Sequence, residues 1–356
     1  MPTAKKWWFR RPALNWLGLI GIGLAVTLLG GGLGALAGIK LSPSTGACDT
    51  TRVASAALPA VVTVFVTAPT GSGSGSGAII RADGVVLTND HVIAAGATAG
   101  TIEVLLNNGD KLPAHLVGTD PMTDLAVLKL DRDKLPTLVL APREPLQVGQ
   151  PVVALGAPLG LSGTVTSGIV STVGRNVPMP KTGGGTTVLA GAIQTDASIN
   201  PGNSGGPLVT CESLLVGVNT AISTVANAEG VGGGGSVGIG FAVPASTAQR
   251  ISDELLATGR ATHPWIGAQT VEISQNVAER FGGHAGLFVI EVTPGGPAAS
   301  AGLQAGDVIT GINGGPATTV SLAWLLVTAK VGDSVAIEHV RDGQSHQATM
   351  TLVEQA

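Results

Sequence analysis

Short runs of β-branched residues separated by turn residues constrain the fold of this chain more than any other feature. Residues 61–66 (VVTVFV) form the first such run. The 53 glycines and 21 prolines among 356 residues divide the sequence at short intervals, which leaves little room for long helices. Many short strands with Gly and Pro turns are typical of an all-β barrel or sandwich, not of βαβ units. The other segments with strand character are 78–80, 85–87, 102–106, 125–130, 152–155, 168–173, 192–194, 208–209, 215–219 and 240–243.

Three glycine-rich stretches interrupt this pattern. Residues 71–77 alternate Gly and Ser between two strand-like runs, and we expect a hairpin loop there rather than a domain linker. Residues 230–235 match the letters of a dinucleotide-binding GxGxxG motif, but strand-like residues follow them, so a dinucleotide site is not expected. Residues 183–185 are expected to form a surface loop.

A helix is predicted over residues 246–258, with Ser246 as its cap and Gly259 as its stop. A new unit begins near His263 and Pro264 and has the pattern of a small α+β domain. Its first segment is 265–269, its predicted strands are 286–292, 308–312, 334–341 and 347–352, and its predicted helices are 276–281 and 321–328.

The composition excludes several classes of function. Charged residues make up 12% of the chain and apolar residues 44%, so intrinsic disorder is not the default interpretation. The net charge of −4 gives no reason to expect nucleic-acid binding. The chain has two cysteines and neither a CxxC motif nor a Cys/His cluster, so we expect no metal and no cofactor.

Residues 14–39 are almost free of charge and long enough to span a bilayer as a helix. Lys, Arg and Trp residues precede them, which predicts an N-terminus on the cytoplasmic side. We therefore expect residues 1–13 in the cytoplasm, a transmembrane helix over 14–39 and a linker over 40–57, with everything after Lys40 exported. The competing interpretation is a cleaved signal peptide, since residues 35–37 (ALA) fit a cleavage site.

The two cysteines, Cys48 and Cys211, leave two interpretations open. They are either unrelated buried thiols or one disulfide, and an oxidising compartment outside the cytoplasm favours the disulfide. Such a bond would close a long loop of the chain.

Three distant segments carry the residue types of acyl-transfer chemistry. Ser204 lies within Gly202-Asn203-Ser204-Gly205-Gly206-Pro207-Leu208, a glycine-rich turn that exposes a nucleophile. His91 follows Thr88-Asn89-Asp90 and supplies a general base, and Asp124 opens an apolar strand and supplies a carboxylate. The order His, Asp, Ser along the chain is that of the chymotrypsin-type triad.

Each of these residues alone has an ordinary structural explanation, and only their combination in this order indicates catalysis. Asp90 adjoins His91 in sequence, which is poor geometry for orienting the ring, so Asp124 is the preferred carboxylate and Asp120 the alternative. The backbone N–H groups of Gly202 and Ser204 are expected to form an oxyanion hole.

These motifs resemble those of the HtrA/Deg-type serine proteases, in which a trypsin-like domain precedes a PDZ domain. The matching stretches are 75–80 (GSGAII), 87–92 (LTNDHV), 123–128 (TDLAVL), 163–171 (GTVTSGIVS), 194–201 (QTDASINP), 238–244 (GIGFAVP), 265–268 (WIGA) and 297–309 (PAASAGLQAGDVI). The resemblance implies two six-stranded β-barrels over residues 58–258 and an α+β PDZ domain over residues 262–355.

By the same resemblance, five residues form the pocket for the side chain before the cleaved bond. They are Ser198, Asn219, Thr220, Ala221 and Ile222. Because none is acidic, small or branched apolar substrate side chains are expected there rather than Lys or Arg.

The resemblance also implies that Ile266, Gly267 and Ala268 form the loop that receives a peptide C-terminus. The expected partners are unfolded protein substrates, peptide C-termini, the membrane through the N-terminal helix, and further copies of the chain, with a trimer as the first expectation. Nucleic acid is not among the expected partners.

The sequence therefore predicts a membrane-anchored extracytoplasmic serine endopeptidase that degrades misfolded envelope proteins. The degradative role is implied by the resemblance alone. Two alternatives stay open at this point: a PDZ-bearing chaperone or scaffold with a latent protease centre, and a signalling protease dedicated to one partner.

Overall fold

The computed structural model describes residues 48–69, 71–97, 100–157, 163–180, 186–220 and 238–354. The predicted transmembrane segment 14–39 and the glycine-rich runs 183–185 and 230–235 lie outside these residues. In the described ranges, none of the helices has both the length and the apolar character needed to cross a membrane.

Six strands of the first half close into a barrel in the order β1-β2-β3-β6-β5-β4. Its interior is aliphatic, with Val62, Val64, Ile79, Val86 and Leu128 fully buried. The strands are β1 (Val61–Ala68), β2 (Gly71–Arg81), β3 (Val85–Thr88), β4 (Thr101–Leu105), β5 (Lys111–Asp120) and β6 (Leu125–Leu130).

Six further strands close a second barrel in the order β10-β11-β12-β9-β8-β7. The pair of six-stranded barrels matches the architecture that the sequence resemblance implied. The strands are β7 (Pro151–Gly156), β8 (Thr164–Pro180), β9 (Thr186–Thr195), β10 (Pro207–Thr210), β11 (Leu215–Thr220) and β12 (Gly240–Pro244).

The Gly/Ser stretch 71–77 is a strand and not the hairpin loop predicted from its composition. It forms the first part of β2 and pairs with β1 from Ala68↔Gly71 to Val61↔Ala78. Two of these glycines are packed closely, since a Cβ on Gly75 would lie 2.7 Å from the Val92 methyl groups. A Cβ on Gly77 would lie 2.7 Å from a methyl group of Val86.

The sequence patterns also missed β5, which lies between β4 and β6 in the first barrel. Its residues alternate between exposed and half-buried for most of its length, so it presents no continuous apolar run. Pro113 lies within the strand, opposite Glu103, and Pro within a run normally argues against a strand.

Part of the segment predicted as a linker is a helix, α1 (Thr50–Ala57). The carboxylate of Asp49 caps it by accepting the N–H groups of Thr51 and Arg52. Val53 and Ala57 lie four residues apart on one face and are fully buried against the first barrel. A 3-10 turn over Leu58–Ala60 then leads into β1.

A disulfide between Cys48 and Cys211 fixes the start of α1 to the turn that follows β10. The two Cα atoms are 5.2 Å apart, and 163 residues separate the cysteines in sequence. The guanidinium of Arg52 donates to the carbonyl of Cys211 (3.2 Å) and adds a second link at the same place.

One helix lies within the first barrel's sequence, between β3 and β4, and another follows the last strand of the second barrel. The short α2 (Asp90–Ile93) follows β3, and α3 (Ala245–Thr258) follows β12. Gly259 ends α3 with φ +77°, as predicted, but the N-cap residue is Pro244 and no side chain caps the helix. The predicted capping role of Ser246 was therefore wrong, because the helix begins one residue earlier.

The C-terminal residues form an α+β unit with its own core, which includes Leu287, Val289, Ile309 and Leu352. Its main sheet runs in the order β14-β15-β16-β18-β19, β17 pairs with β16, and β13 pairs with β20. The strands are β13 (Pro264–Trp265), β14 (Ala268–Ile273), β15 (Gly286–Val292), β16 (Val308–Ile312), β17 (Gly315–Pro316), β18 (Ser334–Arg341), β19 (Gln344–Thr351) and β20 (Val353–Glu354). The helices are α4 (Gln275–Phe281), α5 (Pro297–Ser300) and α6 (Thr319–Thr328).

Polar contacts join this unit to the barrels. The ring Nε2 of His263 lies 2.8 Å from both carboxylate oxygens of Asp120, at the end of β5. The guanidinium of Arg250 on α3 donates to the carbonyl of Val327 on α6 (2.8 Å). Burial by itself raises the pKa of Asp120, but His263, the Thr123 hydroxyl and a backbone N–H lower it by more, so that pKa lies below its ordinary value.

We expect the disulfide to contribute to stability by restricting the unfolded chain. For a loop of 163 residues, its removal should lower the free energy of unfolding by up to about 5 kcal/mol. Urea denaturation of the full chain, with and without reductant, measures this difference, and the double variant Cys48→Ser, Cys211→Ser should match the reduced protein. A loss below about 1 kcal/mol would show that the cross-link does not constrain the chain.

We expect Asp120→Asn to destabilise the fold at neutral pH. Since the folded-state pKa of Asp120 is lowered, its charge stabilises the fold above the ordinary Asp pKa of about 4, and this contribution disappears as the pH falls through the folded-state value. The free energy of unfolding should fall by about 1–3 kcal/mol at pH 7.

The difference between wild type and Asp120→Asn should shrink below about pH 4, which urea denaturation at several pH values can follow. Asp131→Asn is the matched control, because Asp131 also pairs with a histidine, His115 (3.3 Å), but both side chains are exposed. A gap between wild type and Asp120→Asn that is independent of pH would contradict the linkage.

Candidate active site

His91 lies in α2 and holds its ring against the carboxylate of Asp124. Its Nδ1 is 2.9 Å from Asp124 Oδ1 and 2.8 Å from Oδ2, and its backbone N–H donates to Oδ1 (3.0 Å). The double contact fixes both the helix and the ring relative to the carboxylate. With Nδ1 donating to Asp124, Nε2 is the nitrogen that can accept a proton.

Asp124 immediately precedes β6 and has φ +57°, a left-handed conformation that non-glycine residues adopt rarely. Its side chain is 4% exposed. The amide of Asn89 donates to the backbone carbonyl of Asp124 (2.7 Å), and the hydroxyl of Thr220 donates to Oδ2 (3.0 Å). Contacts from both barrels therefore hold the carboxylate in this strained position.

The pKa of His91 is raised above its ordinary value by its surroundings. Burial by itself lowers the pKa of the ring, but the hydrogen bond to Asp124 and the charges of Asp124 and Asp90 outweigh it. The site therefore favours the positively charged ring, which is the form that a general base acquires when it takes a proton.

Ser204 lies in a tight turn before β10, and the turn is shaped by glycines and backbone bonds. Gly202 has φ +102° and Gly205 has φ +83°, conformations for which Gly is suited because it lacks Cβ. Hydrogen bonds hold the turn from several sides. The N–H groups of Asn203, Gly205 and Gly206 donate to the carbonyls of Asn200, Asn219 and Asn203.

The serine turn packs closely against the segment that carries His91. A Cβ on Gly205 would lie 3.1 Å from the Asn89 nitrogen and 2.4 Å from the Thr88 hydroxyl. A Cβ on Gly75 would touch both the carbonyl of Ser204 (3.2 Å) and the methyl groups of Val92 (2.7 Å). Small residues at these points bring the Ser204 turn beside α2, the helix that carries His91.

The residues predicted to line a substrate pocket differ in their surroundings, and two of them lie outside the described residues. The amide of Asn219 is fully buried and donates to Leu155 O and Pro207 O, and the Thr220 hydroxyl contacts Asp124. The amide nitrogen of Asn219 and the hydroxyl of Thr220 therefore bind structural partners. The Ser198 carbonyl accepts bonds from Thr166 and Asn203, while Ala221 and Ile222 lie outside the described residues.

The residues predicted to receive a peptide C-terminus form a turn that leads into β14. Ile266 is buried in the core of the C-terminal unit, and its carbonyl accepts the N–H of Ala298 (2.8 Å). Gly267 has φ +72°, and its carbonyl accepts the N–H of Thr293 (2.9 Å). Ala268 then begins β14, which is the end strand of its sheet in the described part of the chain.

The described residues contain no candidate metal-binding site. Across the described ranges, no group of three or more His, Cys, Asp or Glu side chains is placed to hold a metal ion. The side chains that meet beside the Ser204 turn are those of His91 and Asp124.

Sequence reasoning did not assign a role to the Thr220 hydroxyl in orienting Asp124. The family resemblance placed Thr220, the last residue of β11, beside a substrate pocket, and nothing in its local sequence indicates a partner 96 residues away. β11 belongs to the second barrel and Asp124 to the first, so only the packing of one barrel against the other brings them together.

Two family comparisons match these domains. A trypsin-like peptidase domain family matches residues 75–218, which include His91, Asp124 and Ser204. A PDZ domain family matches residues 264–352, the α+β unit that follows α3.

Similar curated proteins are named probable periplasmic serine endoproteases of the DegP-like type. One from Pseudomonas fluorescens is 41% identical over 281 residues, which are 78% of this chain and 56% of that protein. One from Pseudomonas putida is 42% identical over 281 residues, 78% of this chain and 55% of that protein. The chain thus spans just over half the length of these relatives.

Solved structures of similar proteins cover most of the chain. The HtrA-type protease AlgW with a decapeptide is 33% identical, with a TM-score of 0.66 over 86% of this chain and 99% of that one. The serine endoprotease from Yersinia pestis is 34% identical, with a TM-score of 0.62 over 86% of this chain and 98% of that one. With a trypsin-like peptidase domain, a PDZ domain and these relatives, the chain belongs to the family of HtrA-type proteases.

Proposed function

We propose that this protein is a serine endopeptidase in which Ser204 is the nucleophile, His91 the general base and Asp124 the orienting carboxylate. The observation that carries the proposal is the contact of the His91 ring with the buried Asp124 carboxylate, with Nδ1 2.8 Å from Oδ2, at the side of the Ser204 turn. Neither a structural histidine nor a glycine turn by itself requires that arrangement.

The proposed reaction proceeds through an acyl-enzyme. His91 Nε2 removes the hydroxyl proton as Ser204 Oγ attacks the carbonyl carbon of the substrate, and the carbonyl oxygen becomes an oxyanion. The N–H groups of Gly202 and Ser204 stabilise that oxyanion. The protonated His91 gives its proton to the leaving amine as the C–N bond breaks, and a water molecule, activated by His91, then hydrolyses the ester.

Substrate selection is proposed to come from two places. The pocket assigned to Ser198, Asn219, Thr220, Ala221 and Ile222 has no acidic side chain, which favours small or branched apolar side chains before the cleaved bond. The PDZ domain is proposed to bind a peptide C-terminus by adding it as a strand at β14, next to Ile266, Gly267 and Ala268. The decapeptide in the AlgW structure supports peptide binding in this family.

The protein is proposed to act outside the cytoplasm on unfolded or damaged envelope proteins. The periplasmic relatives and the Cys48–Cys211 disulfide support an oxidising compartment. Residues 14–39 are proposed to anchor it in the membrane with residues 1–13 in the cytoplasm, and the homo-oligomer is proposed to be a trimer. The domain boundaries proposed for the exported part are 58–258 and 262–355.

The proposal predicts that Ser204→Ala abolishes proteolysis. The wild-type full chain should degrade casein and react covalently with a fluorophosphonate probe, and Ser204→Ala should do neither, a loss of about 10⁶-fold in turnover. The control Ser252→Ala changes a buried serine on α3 and should retain activity. Casein turnover by purified Ser204→Ala would contradict the assignment.

The proposal also predicts a specific pH dependence. Since His91 must be neutral to accept a proton and its pKa is raised, kcat/KM should rise with pH through a value above about 6.5. Asp124→Asn removes the charge that raises the pKa, so its rising limb should move to lower pH, and kcat should fall by about 10⁴-fold. A limb that does not move in Asp124→Asn would show that another group titrates.

A further inference from the structure

Ser76 is a fully buried serine on β2 that lies where the two barrels meet. It belongs to the first barrel, but its polar atoms are bonded mainly to the second. Its hydroxyl donates to the carbonyl of Gly202 (2.5 Å) and accepts the N–H of Ala157 (2.8 Å). Its backbone N–H donates to the carbonyl of Ser204 (2.8 Å). One residue therefore contacts both amino acids proposed as oxyanion donors.

Ser76 is itself held in place by the first barrel. Its backbone carbonyl accepts the hydroxyl of Thr88 (2.7 Å), which is fully buried at the end of β3. Gly75 and Gly77 on either side lack room for a Cβ, with the nearest atoms at 2.7 Å. The closely packed strand β2 thus holds the Ser76 hydroxyl against the Ser204 turn.

The peptide unit between Gly202 and Asn203 is bonded at both ends. Its carbonyl accepts the Ser76 hydroxyl, and its N–H donates to the carbonyl of Asn200 (2.9 Å). Gly202 has φ +102° and no side chain, so its own backbone offers little resistance to rotation. The Ser76 hydroxyl therefore restrains a peptide unit that the glycine backbone alone would leave free to rotate.

We propose that Ser76 is a positioning residue that fixes the peptide plane at Gly202 and thereby aims the oxyanion donors of the Ser204 turn. This inference rests on the proposed function, since it assigns Ser76 to the same site. A donor contributes fully only when it already points at the developing oxyanion. Loss of the Ser76 hydroxyl releases the Gly202 carbonyl, and the donors must then reorganise during the reaction.

A purely structural role for Ser76 predicts a different outcome, and Thr63 distinguishes the two. Thr63 is the cross-strand partner of Ser76 on β1, and its hydroxyl donates to the carbonyl of Ala157 (2.6 Å). The Ser76 hydroxyl on β2 and the Thr63 hydroxyl on β1 therefore bind the same residue, Ala157, next to β7 of the second barrel. Ser76 and Thr63 are both buried. Of these two hydroxyls, only that of Ser76 also has a hydrogen bond to the Ser204 turn among the described residues.

The test compares Ser76→Ala with Thr63→Val in the full chain. Steady-state kinetics use a fluorogenic peptide copied from a site that the wild type cleaves in casein, and binding uses a boronic acid of the same sequence, which forms a tetrahedral adduct. Ser76→Ala should lower kcat by about 10- to 100-fold with KM nearly unchanged, and should raise the boronate Ki by a similar factor. Thr63→Val should change kcat and Ki by less than about 3-fold.

Rates are measured well below the thermal unfolding midpoint of each variant, so that stability does not enter the comparison. Ser76→Cys keeps a weak donor and should give values between wild type and Ser76→Ala, and it replaces that variant if the alanine form does not fold. The proposal is overturned if Ser76→Ala keeps the wild-type kcat and Ki, or if Thr63→Val loses as much as Ser76→Ala. A wild type that does not react with the boronate would instead refute the proposed function.

Discussion

The buried carboxylate of Asp124 connects the two barrels at the site. It accepts hydrogen bonds from the backbone N–H and the ring Nδ1 of His91 in the first barrel and from the hydroxyl of Thr220 in the second. A buried carboxylate that lost these partners would be strongly destabilised, so the contacts fix the His91 ring and the relative position of the strands together. The left-handed backbone at Asp124 is the strain that this arrangement tolerates.

The chain reinforces this junction with small residues and with hydroxyls. Gly75, Gly77 and Gly205 permit contacts that a side chain would prevent, and Ser76 and Thr63 use those close approaches to bind backbone groups of the second barrel. The loop before Asp124 is held from the C-terminal side as well, because His263 contacts Asp120 and Asp120 accepts the Thr123 hydroxyl (2.6 Å). The loop before Asp124 is thus held by contacts from the first barrel and from the C-terminal unit.

The local sequence pattern predicted the apolar strands and the order of His91, Asp124 and Ser204 along the chain. It did not predict the roles of residues whose partners lie in the other barrel. The Gly/Ser run 71–77 has the composition of a loop but forms the first part of β2, where it pairs with β1 and where Gly75 packs closely against Val92 of α2. Pro113 and polar residues concealed β5. The roles of Thr220 and Ser76 were invisible in sequence, since their partners lie 96 and 126 residues away.

A crystal structure of the full chain with a peptide boronic acid tests the central claim most directly. The account predicts a covalent bond from boron to Ser204 Oγ, with one boronate oxygen about 2.7–3.1 Å from the backbone nitrogens of Gly202 and Ser204. The other oxygen should face Nε2 of His91, whose Nδ1 stays bonded to Asp124. An unmodified Ser204, or an adduct whose oxygens contact neither the two nitrogens nor His91, would contradict it.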